Sequence, residues 1–352
     1  MKILFLASDL SAIGGIQQYN RNLASSIKEA GEKILLLELI GSGLIYKIKF
    51  ITDFFVKIIF WRPNIIICSH INFSVLCFFA KKILGIDYIL NLYGIDAFEL
   101  GFLRRRVVLA AKKIIILFEW TKNNILKQVP EIQNKIVSLI SAVDENKFFI
   151  KEKSDKLMKR FDLSGYKTIC TMSRISREEE NLDNKGYKRV IKAMPFIIRK
   201  IHRVKYLLIG GGDYLDETKK IVEESGLENS VIFSGAIEDD DRIDYYNLCD
   251  VFVLPSKGEG CPAIVLLETL ACGKPVITGN RECRAEDFLN EELGIMINPD
   301  NIEEIASAII KVLNGNYPKL LYGEKLRKKS LEIYGLVKFK EKVKLLLSEL
   351  KN

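Results

Sequence analysis

The chain has 352 residues, of which 48% are hydrophobic and 28% are charged, and its net charge is +8. This composition excludes long disordered regions, and the length suits two domains better than one core. No apolar run is long enough to span a bilayer, and no signal peptide is expected before the first strand. The seven cysteines contain no CxxC pair, which indicates that they are core residues of a protein in a reducing cytosol.

The positive charge is concentrated in the first part of the chain. Residues 1–150 contain 19 Lys and Arg against 12 Asp and Glu. This excess indicates either charge for solubility or an anionic partner, such as a membrane surface or a phosphorylated lipid. We expect no nucleic acid among the partners.

Twelve short apolar runs predict the strands of two parallel sheets. The runs are continuous rather than alternating, which is typical of strands covered on both faces. The first six are Ile3–Ala7, Ile34–Leu39, Ile65–Cys68, Tyr88–Leu92, Ile114–Phe118 and Ile136–Ile140. The second six are Thr168–Met172, Tyr206–Ile209, Val231–Phe233, Val251–Leu254, Val276–Thr278 and Gly294–Ile297. A polar stretch between the two series predicts two doubly wound domains, residues 1–150 and 151–325, followed by a helical segment over 326–352.

Between the second and third predicted strands, residues 44–61 mix aromatic and aliphatic side chains with Lys47, Lys49, Asp53 and Lys57. This pattern fits either an ordinary packing helix or a helix that lies along a membrane surface. Residues 104–106, all arginine, add a second basic patch.

The stretch from Asp250 to Thr278 is the most informative part of the chain. A buried strand leads into a Gly- and Pro-containing loop, and an apolar helix-like segment then runs from Ala263 to Cys272. Free N–H groups at the start of a helix, next to the carboxyl end of a parallel strand, favour phosphate binding. Glu259 in the loop and Glu268 in the helix flank this position. The stretch therefore predicts a site for a nucleotide diphosphate joined to a group rich in hydroxyls.

This pattern resembles the signature of the retaining family-4 glycosyltransferases, or glycosyl transferases group 1. Their GT-B fold has two Rossmann-like domains with a cleft between them. The resemblance implies transfer of a sugar from a UDP-, GDP- or ADP-sugar with retention, with no cofactor or metal. In the family, a loop glutamate holds the donor sugar and a helix glutamate holds the ribose, and these roles fall on Glu259 and Glu268. Eight residues separate the two here against seven in the family, which places Gly260 at the family spacing; we expect the loop to absorb the extra residue.

The same resemblance implies further donor contacts in the second domain. Arg174 follows the first strand of that domain and Lys185 belongs to a KG pair, and both would hold the diphosphate, with Glu259 as the third catalytic candidate. The remaining donor-binding candidates are Gly210, Gly211, Ile237, Gly260, Cys261, Pro262, Ala263 and Ile264. A glycine triplet such as that at 210–212 can also be a simple turn.

In the first domain, Gly14 and Gly15 resemble the family's glycine loop, which contacts donor phosphate or acceptor, although a tight strand-to-helix turn would use the same residues. His70, Tyr93 and Asp96 are acceptor candidates, with Tyr93 standing where many relatives have a histidine. A lone histidine such as His70 is also common as a structural residue. The helix over 326–352 would cross back to the first domain.

The implied acceptor is a saccharide or lipid-linked saccharide of surface polysaccharide or glycolipid biosynthesis, used in the cytoplasm or peripherally at the inner membrane face. The alternatives are an NAD-dependent oxidoreductase, a nucleotide-sugar epimerase of the same fold and a catalytically silent partner subunit. The first strand is not followed by GxGxxG, which argues against NAD binding. The DxD spacing at Asp239–Asp241 is interpreted as an acidic surface turn that begins a helix, not as a metal site.

Overall fold

The computed structural model describes residues 1–12, 14–94, 99–177, 185–257, 263–279 and 289–351. It contains two six-stranded sheets, and all strand pairs recorded within them are parallel. The strand orders are β2-β1-β3-β4-β5-β6 and β12-β11-β10-β7-β8-β9, with β1 to β12 numbered along the chain. Each of the twelve predicted strands is present, and the predicted class of two doubly wound α/β domains is confirmed.

The strands of the first sheet are β1 Lys2–Ser8, β2 Lys33–Leu39, β3 Ile65–Cys68, β4 Asp87–Leu92, β5 Lys113–Ile116 and β6 Ile136–Ser138. Those of the second sheet are β7 Lys167–Met172, β8 Val204–Ile209, β9 Val231–Gly235, β10 Val251–Leu254, β11 Val276–Gly279 and β12 Gly294–Ile297. The four residues of β3 and of β10 are completely buried, as expected of strands with helices on both faces.

The helices of the first half are α1 Gly15–Glu29, α2 Leu44–Trp61, α3 Ser74–Leu84, α4 Phe102–Ala110 and α5 Glu119–Gln128. Those of the second half are α6 Asp155–Arg160, α7 Tyr187–Ile198, α8 Leu215–Glu224, α9 Arg242–Leu248, α10 Ile264–Ala271, α11 Ile302–Leu313, α12 Gly323–Tyr334 and α13 Leu336–Lys351. Short 3-10 helices cover Ile71–Phe73, Pro130–Lys135 and Asp239–Asp241.

The chain forms two compact units, one of residues 1–142 with 336–352 and one of residues 143–335. We call them unit 1 and unit 2. The division comes earlier than the predicted boundary at residue 150, because the segment after residue 142 is held by unit 2. The backbone N–H of Val143 donates to the carbonyl of Tyr334 at 2.9 Å, and that of Lys151 donates to the side-chain oxygen of Asn247 at 2.9 Å.

In unit 1, helices α2, α3, α4 and α5 contribute to one hydrophobic core with alternate residues of the strands, so they cover the same face of the sheet. Helix α13 packs against α1, where the rings of Phe339 and Tyr19 meet edge to face with centroids 5.7 Å apart. In unit 2, the core lies between the sheet and helices that include α7 and α11.

The predicted helical segment at the end of the chain is divided in two at Gly335. This residue has an extended backbone between α12 and α13 and forms an isolated bridge with Val143. Glycine has a low helix propensity, and the bridge supplies backbone contacts that compete with a continuous helix. The helix that belongs to unit 1 therefore begins at Leu336, against the predicted 326.

Candidate functional site

Arg174 lies at the carboxyl end of β7, on a segment that runs alongside the glycine triplet after β8. The backbone N–H of Ile175 donates to the carbonyl of Gly211 at 3.0 Å. Gly210 has φ +136°, and a Cβ at this position would overlap the carbonyl oxygen of Ser173. The triplet is thus more than a turn, because the absence of side chains lets the Arg174 segment pack directly on the end of the neighbouring strand.

We expect Gly210→Ala to lower the free energy of unfolding by at least about 2 kcal/mol. The positive φ of this position is unfavourable for alanine, and the added methyl group would overlap the carbonyl oxygen of Ser173. Gly226→Ala is the matched control, since Gly226 also has a positive φ but a Cβ there meets no atom within 4 Å. Urea unfolding of both variants measures the difference. Equal losses in the two would contradict the close packing described for Gly210.

Lys185 lies two residues before α7, next to the end of β10. Its neighbour Gly186 has a left-handed backbone with φ +74°, and a Cβ there would overlap the carbonyl oxygen of Pro255. The guanidinium of Arg189, on the first turn of α7, donates to the same carbonyl at 3.4 Å. These contacts join the KG pair to the segment that follows β10, so Lys185 and Arg174 both belong to the carboxyl edge of the second sheet.

Helix α10 begins at Ile264 on the same edge. Ala263 precedes it and provides no side-chain cap, and its carbonyl accepts from Leu266 N–H at 2.8 Å. The other predicted loop residues, Glu259, Gly260, Cys261 and Pro262, lie outside the described residues. Ile237, which follows β9, is half-buried.

Glu268, on α10, is buried, and both of its carboxylate oxygens have partners. Oε1 forms an ion pair with Arg242, and Oε2 accepts a hydrogen bond from the Tyr246 hydroxyl at 2.6 Å. Burial raises the pKa of the Glu268 carboxyl to about 7, although Arg242 and the Tyr246 hydroxyl act to lower it. The pKa of Tyr246 is raised by burial and then by the nearby carboxylate, so this hydroxyl remains a donor at neutral pH.

The ion pair continues to the surface through the acidic 3-10 helix Asp239–Asp241. Arg242 also contacts Asp239 at 3.3 Å, and Lys147 contacts both Asp239 and Asp240, at 2.8 and 3.0 Å. As predicted, the acidic residues precede a helix, α9, and the described contacts of Asp239 and Asp240 are with cations.

Sequence reasoning did not identify Arg242 and Tyr246 as the partners of Glu268. The available signal was that a buried carboxylate requires a cation or donors.

The predicted residues of unit 1 have packing and capping contacts. The half-buried ring of His70 accepts, through Nδ1, from the backbone N–H of Asn72 at 3.1 Å and thereby caps a 3-10 helix. The Tyr93 hydroxyl is buried and donates to Asn20 Oδ1 at 2.7 Å. Asp96 lies outside the described residues. An acceptor role for these residues remains a prediction.

Gly14 and Gly15 lead into α1. Gly14 is extended, with φ 169°, so its backbone conformation does not require glycine. A Cβ on Gly15 would meet no atom within 4 Å. A tight turn with positive φ therefore does not explain the pair. A Cβ on Gly14 would instead overlap the side-chain oxygen of Gln17, which lies against the start of α1.

Most of unit 2 matches a known family. Residues 153–330 match the model of the family described as glycosyl transferases group 1. The chain belongs to this family. The matched range includes Arg174, Lys185 and Glu268, as well as Arg242 and Tyr246, which the sequence reasoning did not identify.

Curated relatives match the chain over part of their length. A GDP-mannose-dependent α-(1-6)-phosphatidylinositol monomannoside mannosyltransferase of Mycobacterium tuberculosis is 28% identical over 45% of this chain and 41% of the relative. An α-monoglucosyldiacylglycerol synthase of Streptococcus pneumoniae is 28% identical over 49% of this chain and 37% of the relative. The matches thus span less than half the length of these relatives.

Solved structures resemble the whole chain. The Anabaena protein HepE, in complex with UDP, superposes with a TM-score of 0.80, 17% identity and coverage of 99% of this chain and 100% of that one. Sucrose-phosphate synthase from Thermosynechococcus elongatus gives 0.80, 16% identity and 99% coverage of both chains. These likenesses confirm the GT-B fold.

Proposed function

We propose that the protein transfers a sugar from a nucleotide-diphosphate sugar to a saccharide or lipid-linked saccharide acceptor, with retention of anomeric configuration. The observation that carries the proposal is the carboxyl edge of the second sheet. Arg174 and Lys185, the glycine triplet after β8 and the start of α10 all belong to this edge. Phosphorylated ligands bind at such edges in α/β proteins, where helix N-termini and cations balance their charge.

The rate of the reaction would depend mainly on the leaving group. The glycosidic C–O bond breaks as positive charge develops on the sugar ring and negative charge on the departing diphosphate. Arg174, Lys185 and backbone N–H groups at the start of α10 would stabilise that negative charge, which is larger in the transition state than in the bound donor. A phosphate oxygen of the leaving group can take the acceptor proton, so neither a metal ion nor a separate strong base is required. Glu259 would hold hydroxyls of the donor sugar.

Glu268 would bind the ribose hydroxyls of the donor. Each carboxylate oxygen has more than one acceptor position, so the contacts with Arg242 and Tyr246 do not use all of its capacity. The two partners fix the orientation of the carboxylate, and the cation favours its ionised, accepting form. On this view Arg242 and Tyr246 are positioning residues, which act on the donor through Glu268.

The acceptor is proposed as a lipid-linked saccharide or glycolipid of surface polysaccharide or glycolipid biosynthesis. The names of two relatives support this class, since one refers to a phosphatidylinositol mannoside and the other to a glucosyldiacylglycerol. Because a lipid-linked acceptor lies in a membrane, a peripheral location at the inner face of a membrane is part of the proposal.

A thermal-shift panel tests the proposal. We expect one of UDP-, GDP- or ADP-sugars, at saturating concentration, to raise the melting temperature by about 5 °C or more, because the ligand binds the folded state only. NAD serves as the control ligand. Transfer from that donor, with the product anomer determined by NMR, then tests the reaction. Stabilisation by NAD and by none of the sugar nucleotides would contradict the proposal.

A further inference from the structure

Helix α2 exposes an apolar face. It meets the core of unit 1 through Phe50, Phe54 and Ile58, which are spaced four residues apart and are at most 5% exposed. The opposite face of a surface helix ordinarily carries polar side chains. Here the residues half a turn away are largely apolar, and their exposed members include Ile45 at 80% and Ile59 at 57%.

The apolar surface extends over the neighbouring helices on the same face of the sheet. The rings of Phe50 on α2 and Phe73, just before α3, pack with centroids 4.8 Å apart, and α3 packs against α4. We define the outer surface as the exposed side of these three helices, including their cations. Its exposed apolar side chains are Leu44, Ile45, Tyr46, Ile48, Ile51, Phe55, Val56, Ile59 and Phe60 on α2, Phe79, Ile83 and Leu84 on α3, and Phe102 and Leu103 on α4. Exposed apolar residues scattered singly are ordinary, whereas a cluster of this size indicates a binding surface.

The same helices are strongly basic. Together α2, α3 and α4 contain eight Lys and Arg and a single acid, Asp53. Two of the eight have acidic partners on other elements, Lys81 with Asp87 at 2.8 Å and Arg105 with Glu131 at 3.4 Å. Unit 1 as a whole contains 23 Lys and Arg against 12 Asp and Glu, a net charge of +11, whereas unit 2 has a net charge of −3.

We propose that the outer surface docks on an anionic lipid bilayer, with α2 parallel to the membrane plane. Its apolar side chains would enter the boundary between headgroups and acyl chains, and its cations would contact lipid phosphates. On α4 a cation and an apolar side chain lie next to each other, as such docking requires. The Arg106 guanidinium carbon is 4.3 Å from the centroid of the Phe102 ring. None of the helices in the described ranges is long and apolar enough to cross a membrane, and interfacial docking requires no such helix.

The positive charge of α2, α3 and α4 favours an anionic bilayer, and not a second copy of the chain, as the partner of the outer surface. Two copies of the outer surface placed face to face would bring sixteen cations together with six carboxylates, Asp53, Asp87 and Glu131 of each copy, and such like-charge contact opposes association. An anionic bilayer supplies negative charge and an apolar layer at once. The inference concerns docking alone and does not rest on the proposed transfer chemistry.

The test is flotation with vesicles of phosphatidylcholine alone or mixed with phosphatidylglycerol. We expect the protein to bind the mixed vesicles and not the neutral ones, and added salt to weaken binding. Ile45→Ser/Phe60→Ser should reduce the partition coefficient by about tenfold or more, because two exposed apolar side chains no longer enter the bilayer. Arg104→Gln/Arg106→Gln should reduce it by about 25-fold, at about fivefold per charge.

Phe196→Ser and Lys192→Gln are matched controls, because both residues are exposed on α7 of unit 2. They should leave vesicle binding unchanged. The thermal shift with sugar nucleotides is expected to be the same in all of these variants, which keeps a failure of docking distinct from a failure of the proposed function. The proposal is overturned if the parent protein does not bind the mixed vesicles, or if both double variants bind them as well as the parent does. It is also overturned if light scattering shows a dimer that Ile45→Ser/Phe60→Ser abolishes.

Discussion

Lys185→Ala is expected to lower kcat/KM for sugar transfer by about two to three orders of magnitude, the usual cost of removing one group that stabilises transition-state charge. The Gly186 contact with the Pro255 carbonyl holds the lysine backbone beside the end of β10. Without the ammonium group, the leaving diphosphate has one compensating charge fewer. Initial rates with the donor found in the thermal-shift panel measure the effect.

Lys192→Ala is the control for this experiment. It removes an exposed lysine from α7, the helix that follows Lys185, at a position away from the carboxyl edge of the second sheet. Its kcat/KM and the melting temperatures of both variants should match those of the parent. Arg174→Ala should resemble Lys185→Ala, and the double variant should lose less than the product of the two factors, since both cations act on one charge. Unchanged turnover in Lys185→Ala would remove the lysine from the proposed mechanism.

The second large effect is expected in stability. Arg242→Met should lower the free energy of unfolding by about 3–5 kcal/mol at about pH 8, because the buried Glu268 loses its cation and one of its two hydrogen-bond donors, whether it then stays ionised or takes up a proton. Equilibrium unfolding in urea measures the loss. Arg242→Met/Glu268→Gln should recover most of it, because a neutral amide needs no counter-charge and its oxygen can still accept from Tyr246.

The loss should also depend on pH. Since burial raises the pKa of Glu268 to about 7, above its value in the unfolded chain, the folded protein holds this proton more tightly between about pH 4.5 and 7. At about pH 5 the carboxyl is neutral in the parent and in Arg242→Met, so the variant should lose less stability there than at about pH 8. An equal loss at both pH values would show that Arg242 acts through packing, for instance on Phe148, whose ring centroid lies 5.3 Å from the guanidinium carbon.

The fold could be predicted because buried parallel strands leave a strong signal, a continuous apolar run followed by a helical segment. The runs at 65–68 and 251–254 coincide with β3 and β10 to the residue. The break in the last helix was not predicted, since the Lys/Glu/Leu pattern continues on both sides of Gly335. Only the folded chain provides the bridge from that glycine to Val143.

The candidate site was predictable in part for a similar reason. The positions of Arg174 and Lys185 follow from local order, as each adjoins an element that the sequence predicts. The partners of Glu268 do not, because the chain contains 53 Lys and Arg and nothing in the local pattern selects Arg242. Burial of a polar group requires a partner, but tertiary contact alone determines which residue it is.

Because α13 completes unit 1 although it follows unit 2 in the chain, the order of synthesis and the order of folding differ. A ribosome releases residues 1–142 long before α13 is made, so α1 leaves the exit tunnel without the helix that covers Tyr19 and pairs Lys340 with Glu29 at 2.8 Å. Unit 2 is continuous in sequence and can fold as soon as residue 335 has emerged. Nascent unit 1 therefore keeps the surface that α13 covers exposed until the end of the chain is made, and transiently exposed apolar surface of this kind favours aggregation.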